Sequence, residues 1–236
     1  MAIGISTRRI DATPIAVIDF ETTGLTPGLD RVVEVSVVRI EPGEAPRLVF
    51  DTLVNPERPM AATHVHGITE ADVAGAPRFD EIVGDFLAAM QGCMIAAYNV
   101  YFDIRFLEYE LSKAGVRHAP PHFCLMYLRP LLGLGRQCDL ASACMRHGVD
   151  FKPTHAAADD AIAAAHLFGH YRRVIDRRGI ETYDDLAALR SYKFTSSFAR
   201  DPFPAPAHYG LSTTGQVRSR ATTHRNRKIT FLDTGN

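Results

Sequence analysis

Apolar positions along the chain fall into strand-like runs first and helix-like runs later. Residues 15 to 18, "IAVI", form a continuous apolar run that stops at Asp19, the pattern of a buried strand ending in polar residues. Arg31 to Ile40 alternates well enough for a second strand, "EPGEA" reads as a hairpin turn, and "RLVFDTLVNP" as the returning strand. This antiparallel opening differs from the strand-helix-strand start of a dinucleotide-binding domain. Cys93 to Asn99, "CMIAAYN", predicts another buried strand, and from Val100 onward Ile104, Leu107 and Leu111 recur at helical spacing. Amphipathic helices are predicted over Phe79 to Met90 and Cys138 to His147, with a last short helix over Tyr183 to Arg190. The longest helical pattern, "KPTHAAADDAIAAAHLFGHYRRVI", is expected to begin just after Pro153 with Thr154 as its N-cap.

Four acids sit at the joints of these elements: Asp19 and Glu21 in "VIDFETTG", Asp103 in "AYNVYFDIRFL" and Asp160 in "HAAADDA". Side chains at i and i+2 of a strand share a face, so Asp19 and Glu21 project together while Phe20 turns away. Asp103 falls in the first turn of the helix after Asn99, where the helix dipole alone would favour an acid. His155 precedes Asp160 by five positions, about 140° around a regular helix. His155 is therefore expected at or before the helix start, where it can swing over a site that Asp160 enters, as a mobile proton acceptor does. Asp159 competes with Asp160, and spacing alone barely separates them. A lone D-x-E is better read as a solvated strand end, but four acids that converge repel one another unless cations lie between them. Hard oxygen ligands of this kind suit Mg²⁺ or Mn²⁺, so the set predicts a metal-dependent enzyme.

In their order, "DFETTG", "HGIT" at 66 to 69, "YNVYFD" and H-x4-D resemble the motifs of the DEDDh exonucleases, over roughly residues 12 to 175. That family includes the proofreading epsilon subunit of bacterial DNA polymerase III and RNase T. The resemblance implies an α/β, ribonuclease H-like fold, a mixed sheet flanked by helices, with the exonuclease domain spanning 12–195. It implies that Asp19, Glu21, Asp103 and Asp160 bind two Mg²⁺ or Mn²⁺ ions and that His155 is the general base. It also assigns Thr22, Thr23, His66, Asn99 and Phe102 to the substrate. The implied reaction is hydrolysis from the 3′ end of DNA, single-stranded or frayed, to nucleoside 5′-monophosphates, free-standing or as proofreading beside a DNA polymerase subunit. An exoribonuclease would use the same site, with the pocket at the 2′ position deciding. A non-catalytic nucleic-acid-binding or polymerase-assembly module is a third reading, and the filling of all five catalytic positions argues against it.

Composition alters this picture little. The chain has 236 residues, 46% hydrophobic and 22% charged, with no apolar run long enough to span a membrane and no signal-peptide core at its start, so cytoplasm is the expected location. His64 and His66 form an H-x-H better read as a polar loop than a zinc site, and the four cysteines lack C-x-x-C spacing. Gly133 and Gly135 read as a loop. Charge does change along the chain. From Arg200 to Asn236 there are six Lys or Arg against two acids, with prolines at 202, 204 and 206. Residues 196–236 are therefore expected to form a flexible basic tail, either a solvated end or an arm that grips phosphate or docks a partner.

Overall fold

The computed structural model describes residues 4–153 and 155–214. Five strands form one mixed sheet in the order β3-β2-β1-β4-β5, from β1 (Ile15–Thr22), β2 (Val32–Ile40), β3 (Arg47–Leu53), β4 (Met94–Ala97) and β5 (His122–Cys124). β1 runs antiparallel to β2 and parallel to β4, which makes it the central strand. That position explains its unbroken apolar run, because a strand with neighbours on both edges and helices on both faces has no solvated side until it ends.

The two faces are covered by different helices. Phe20 and Phe50 meet Phe86 of α3 (Phe79–Met90) at ring centroid separations of 6.0 and 5.6 Å. The opposite face carries Asp19, Glu21, and Glu34 of β2, and it lies under α7 (Ala157–Arg177), which packs across β1, β2 and β3. α4 (Val100–Lys113) follows β4, as its periodicity predicts, and brings its first turn to the end of β1. The remaining helices are α1 (Thr63–His66), α2 (Glu70–Val73), α5 (Leu125–Leu131), α6 (Leu140–His147) and α8 (Tyr183–Leu189). No helix among the described residues is long and apolar enough to cross a membrane.

Two expectations need correction. α7 begins at Ala157 rather than just after Pro153, and Ala156 at its cap position makes no side-chain capping bond; Thr154 lies outside the described residues. A left-handed backbone at His155 (φ 51°) interrupts any helix starting earlier. Residues 196–214 are packed rather than loose. Ser197 Oγ accepts the His122 N–H and donates to the His122 carbonyl, both at 2.9 Å, extending the β5 edge. Phe198 and Phe203 are buried, and the Phe203 carbonyl accepts the Gly92 N–H at 3.0 Å. A fully buried phenylalanine stabilises by about 1.5–3 kcal/mol, which outweighs the missing N–H groups of the interspersed prolines. Ile5 and Ile10 are also in the core, so the packed unit begins before residue 12. The basic residues from 218 onward lie outside the described residues.

Candidate active site

β1 delivers Asp19 and Glu21 to the α7 face of the sheet, α4 delivers Asp103 from its first turn, and α7 delivers Asp160 from its own. Asp103 is buried, and its Oδ1 accepts the Phe20 N–H at 3.2 Å, which ties α4 to the strand between the first two acids. The two strand acids feel the other acids directly, and burial raises all four. Burial first, and then the charges of Asp103, Asp160, Glu21 and Glu34, hold the Asp19 carboxyl well above the usual carboxylate range. Burial, then Glu34, Asp160 and Asp103, push Glu21 up to about 8. Burial raises Asp103 to about 7 against the pull of the Phe20 N–H and its own. Burial raises Asp160 to about 6 while His155 pulls it down and Asp159 pushes it up. Asp160, not Asp159, is thus the helix acid whose charge reaches Asp19 and Glu21.

The donor set suits a hard divalent cation. It is all oxygen, and Asp160 Oδ1 is buried with no hydrogen-bond partner, a state that costs free energy unless something positive meets it. Among the described residues no three of His, Cys, Asp or Glu are already arranged as a cation cage. A stability prediction follows from the shifts. A carboxyl whose folded pKa is raised favours the folded state fully below its unfolded value, near ~4. That stabilisation is lost as pH rises through the folded values of about 6, 7 and 8 for Asp160, Asp103 and Glu21. In chelator the melting temperature should therefore fall between about pH 5 and 8, and added Mg²⁺ or Mn²⁺ should raise it more at the upper end. A chelated chain that gains stability over this range would contradict the acid cluster.

Glu34 is the acid that sequence reasoning missed. It stands opposite Glu21 in the β1–β2 register, is 1% exposed, and its Oε2 accepts the N–H of Ala157 at 3.0 Å. A carboxylate at that point satisfies one of the four unpaired N–H groups of the helix start and meets the positive end of its dipole. It replaces the missing side-chain cap and fixes α7 between His155 and Asp160. The available signal was an acid in the middle of the apolar run "VVEVSVV", since a buried carboxylate must have partners.

Around the acids, the residues expected at the substrate take different positions. His155 is exposed and lies before α7. Thr22, the last residue of β1, and Thr23, the first of the turn after it, are buried with their hydroxyls engaged: Thr22 Oγ1 donates to the Gly24 carbonyl at 2.6 Å, and Thr23 Oγ1 accepts the Arg31 N–H at 3.1 Å. Gly24 permits this turn because a Cβ would stand 2.5 Å from the Asp30 carboxyl. These threonines thus shape the turn rather than offer unoccupied hydroxyls. His66 closes α1, its Nδ1 accepts the Ile68 N–H at 3.0 Å, and its Nε2 is buried without a partner. Burial lowers its pKa, with the Ala61 and Thr22 backbone opposing and His64 and His155 adding to the drop. His66 therefore lies within reach of both the turn and His155. Asn99 is exposed at the N-cap of α4 and makes no capping bond there, and Phe102 is half-buried against Phe106.

The chain as a whole has counterparts among known proteins. Residues 16–168 match the exonuclease family RNase_T, and the chain belongs to that family. It is 35% identical over 181 residues to the DNA polymerase III subunit epsilon-like protein of Rhodobacter capsulatus, covering 74% of this chain and 26% of that protein. It is 35% identical over 157 residues to the DNA polymerase III subunit epsilon of Treponema pallidum, covering 64% of this chain and 72% of that one. The chain thus spans about a quarter of the first relative's length, and 13% of the PolC-type DNA polymerase III of Thermotoga maritima, to which it is 30% identical. Among solved structures, Exonuclease X in complex with 5′ overhanging duplex DNA superposes with a TM-score of 0.56 at 24% identity, over 75% of this chain and 99% of that one. E. coli Exonuclease I in complex with a dT13 oligonucleotide gives 0.60 at 16% identity, over 75% and 46%. The expected ribonuclease H-like α/β fold is therefore the fold of this chain.

Proposed function

We infer that this chain is a divalent-metal-dependent 3′–5′ exonuclease that removes nucleoside 5′-monophosphates from the 3′ end of single-stranded or frayed DNA. The observation that carries this reading is the convergence of Asp19, Glu21, Asp103 and Asp160, each held above its usual pKa, beside an exposed His155. Two Mg²⁺ or Mn²⁺ ions held by these acids would supply the Lewis acidity and water activation that a phosphodiester needs. The chain's own residues do the rest. His155, outside the helix and next to the acids, takes the proton from the attacking water. To the terminal sugar and its 3′ hydroxyl we assign Asn99, with its exposed amide, and the His66 ring, and to its aromatic contact the half-buried Phe102. The turn that Thr22 and Thr23 shape leads into Leu25 and Leu29, which are 76% and 74% exposed and form an apolar lip for the terminal base.

The test uses 5′-labelled single strands of DNA and RNA, side by side. The expected result is a ladder shortened from the 3′ end by single nucleotides in Mg²⁺ or Mn²⁺, no products in excess chelator, and resistance of a 3′-phosphorylated strand. Products from internal cuts, or equal activity in chelator, would overturn the reading. The RNA lane decides whether the sugar pocket accepts a 2′ hydroxyl.

A further inference from the structure

We propose that an aromatic ledge beside the acid cluster, carrying Arg190 and Lys193, grips the single strand upstream of the 3′-terminal nucleotide. The proposal rests on the exonuclease reading above for its orientation. The ledge starts at Tyr101, in the same first turn of α4 as Asp103. Tyr127 of α5 meets Tyr101 edge-on at 5.6 Å between centroids and Tyr192 meets Tyr127 at 5.2 Å, all three partly buried, while the fully buried Phe194 stacks under Tyr192 at 5.6 Å and 16° and anchors it to the core. The Phe194 N–H donates to the Tyr101 hydroxyl at 3.1 Å, which fastens the segment after α8 to α4. Two cations lie on these rings: Arg190 Cζ is 5.0 Å from the centre of Tyr192, and Lys193 Nζ is 5.9 Å from that of Tyr101. Both are exposed, and among the described residues neither forms an ion pair with a carboxylate.

This arrangement addresses an electrostatic difficulty of the site itself. A nucleic acid is a polyanion, and the cluster it must enter holds Asp19, Glu21, Glu34, Asp103 and Asp160. Cations on a ledge that starts within one helical turn of Asp103 would offset that repulsion along the strand's path. Aromatic faces hold a guanidinium or an ammonium in place without a carboxylate that would neutralise it, so the charge stays available to phosphate. Rings interleaved with basic residues are also how proteins track single strands without reading sequence. Residues 190–194 lie beyond the family match of 16–168. The ligand of the ledge is the phosphate backbone shared by DNA and RNA, and both are used as probes.

The experiment compares the full chain with R190Q/K193Q and with Tyr192→Leu, which unseats Arg190 but keeps its charge. Binding of fluorescent DNA and RNA strands of ~15 and ~3 nucleotides is followed by anisotropy in chelator, between about 50 and 200 mM salt. Losing two phosphate contacts should flatten the slope of log K against log salt by about 1.4 and weaken binding of the longer strand about 5–10-fold at low salt. The loss on the shorter strand should be smaller, and Tyr192→Leu should show part of the loss on the longer one. An unchanged salt slope in the double variant, or an equal loss at both lengths, would overturn the ledge, as would a parent chain that binds neither long strand. A parent that binds the long strands yet leaves them uncut in Mg²⁺ and Mn²⁺ would overturn the exonuclease reading alone.

Discussion

Asp19→Asn should abolish nuclease activity, by about 10³-fold or more, while making the metal-free chain more stable. The two effects share one cause. Asp19 sits at the centre of the acids, and burial with the charges of Asp103, Asp160, Glu21 and Glu34 holds its carboxyl well above the usual range. Asparagine keeps the shape and is neutral without taking up a proton, so the cost of burying an ionisable carboxyl among like charges is relieved. A gain of about 1 kcal/mol, an ordinary size for a single substitution, corresponds to roughly 2–4 °C in melting temperature for a domain of this size. In the proposed exonuclease the same change removes a cation ligand, and electrostatic stabilisation of that kind typically contributes factors of about 10²–10³ or more. Three measurements decide it: cleavage rate in Mg²⁺, melting temperature in chelator, and the rise in melting temperature on adding Mg²⁺. The rate and the metal-induced rise should collapse while the chelated melting temperature climbs. A variant that loses activity and also melts earlier in chelator would mean that Asp19 serves folding rather than catalysis.

That trade between stability and chemistry is also why the acids were legible in the sequence. Asp19 ends an apolar run that otherwise predicts strand, and Asp103 opens a helix directly after a buried strand, so each interrupts a pattern that burial would have continued. The mixed sheet followed from the same logic, since alternation over 31 to 40 and the turn at 41 to 45 fix an antiparallel pair before any helix appears. Features held by long-range partners were less legible. β5 is three residues long, too short for any periodicity, and exists because β4 offers it an edge. The start of α7 depends on Glu34, 123 residues away, and no local signal distinguishes Ala157 from its neighbours. Residues 196–214 are rich in proline and polar side chains, and only their aromatic residues betray that they pack, Phe198 against Tyr183 and Phe203 against His118. Spacing left Asp159 and Asp160 unresolved because adjacent helix positions differ by ~100°, and only the placement of the strand acids shows which of them faces the cluster.

The position of His155 leads to the last prediction. A proton acceptor has to approach a water that the acids cannot themselves deprotonate well, and it must do so without becoming a fixed part of their cluster. His155 meets both conditions: it is exposed, it precedes the helix that carries Asp160, and its charge is felt by Asp160 and His66. His155→Ala should therefore lose about 10²–10⁴-fold in rate while keeping strand binding and the metal-induced rise in melting temperature. The backbone supplies a control. His155 has φ 51°, a conformation that costs most side chains roughly 1–2 kcal/mol and that asparagine tolerates better. If loop geometry were the cause of the loss, His155→Asn would recover most of the rate. If proton transfer is the cause, Asn and Ala should be equally slow, because an amide has no basic nitrogen at neutral pH. A fully active His155→Ala would move the base elsewhere, with Asp159 the next group to replace.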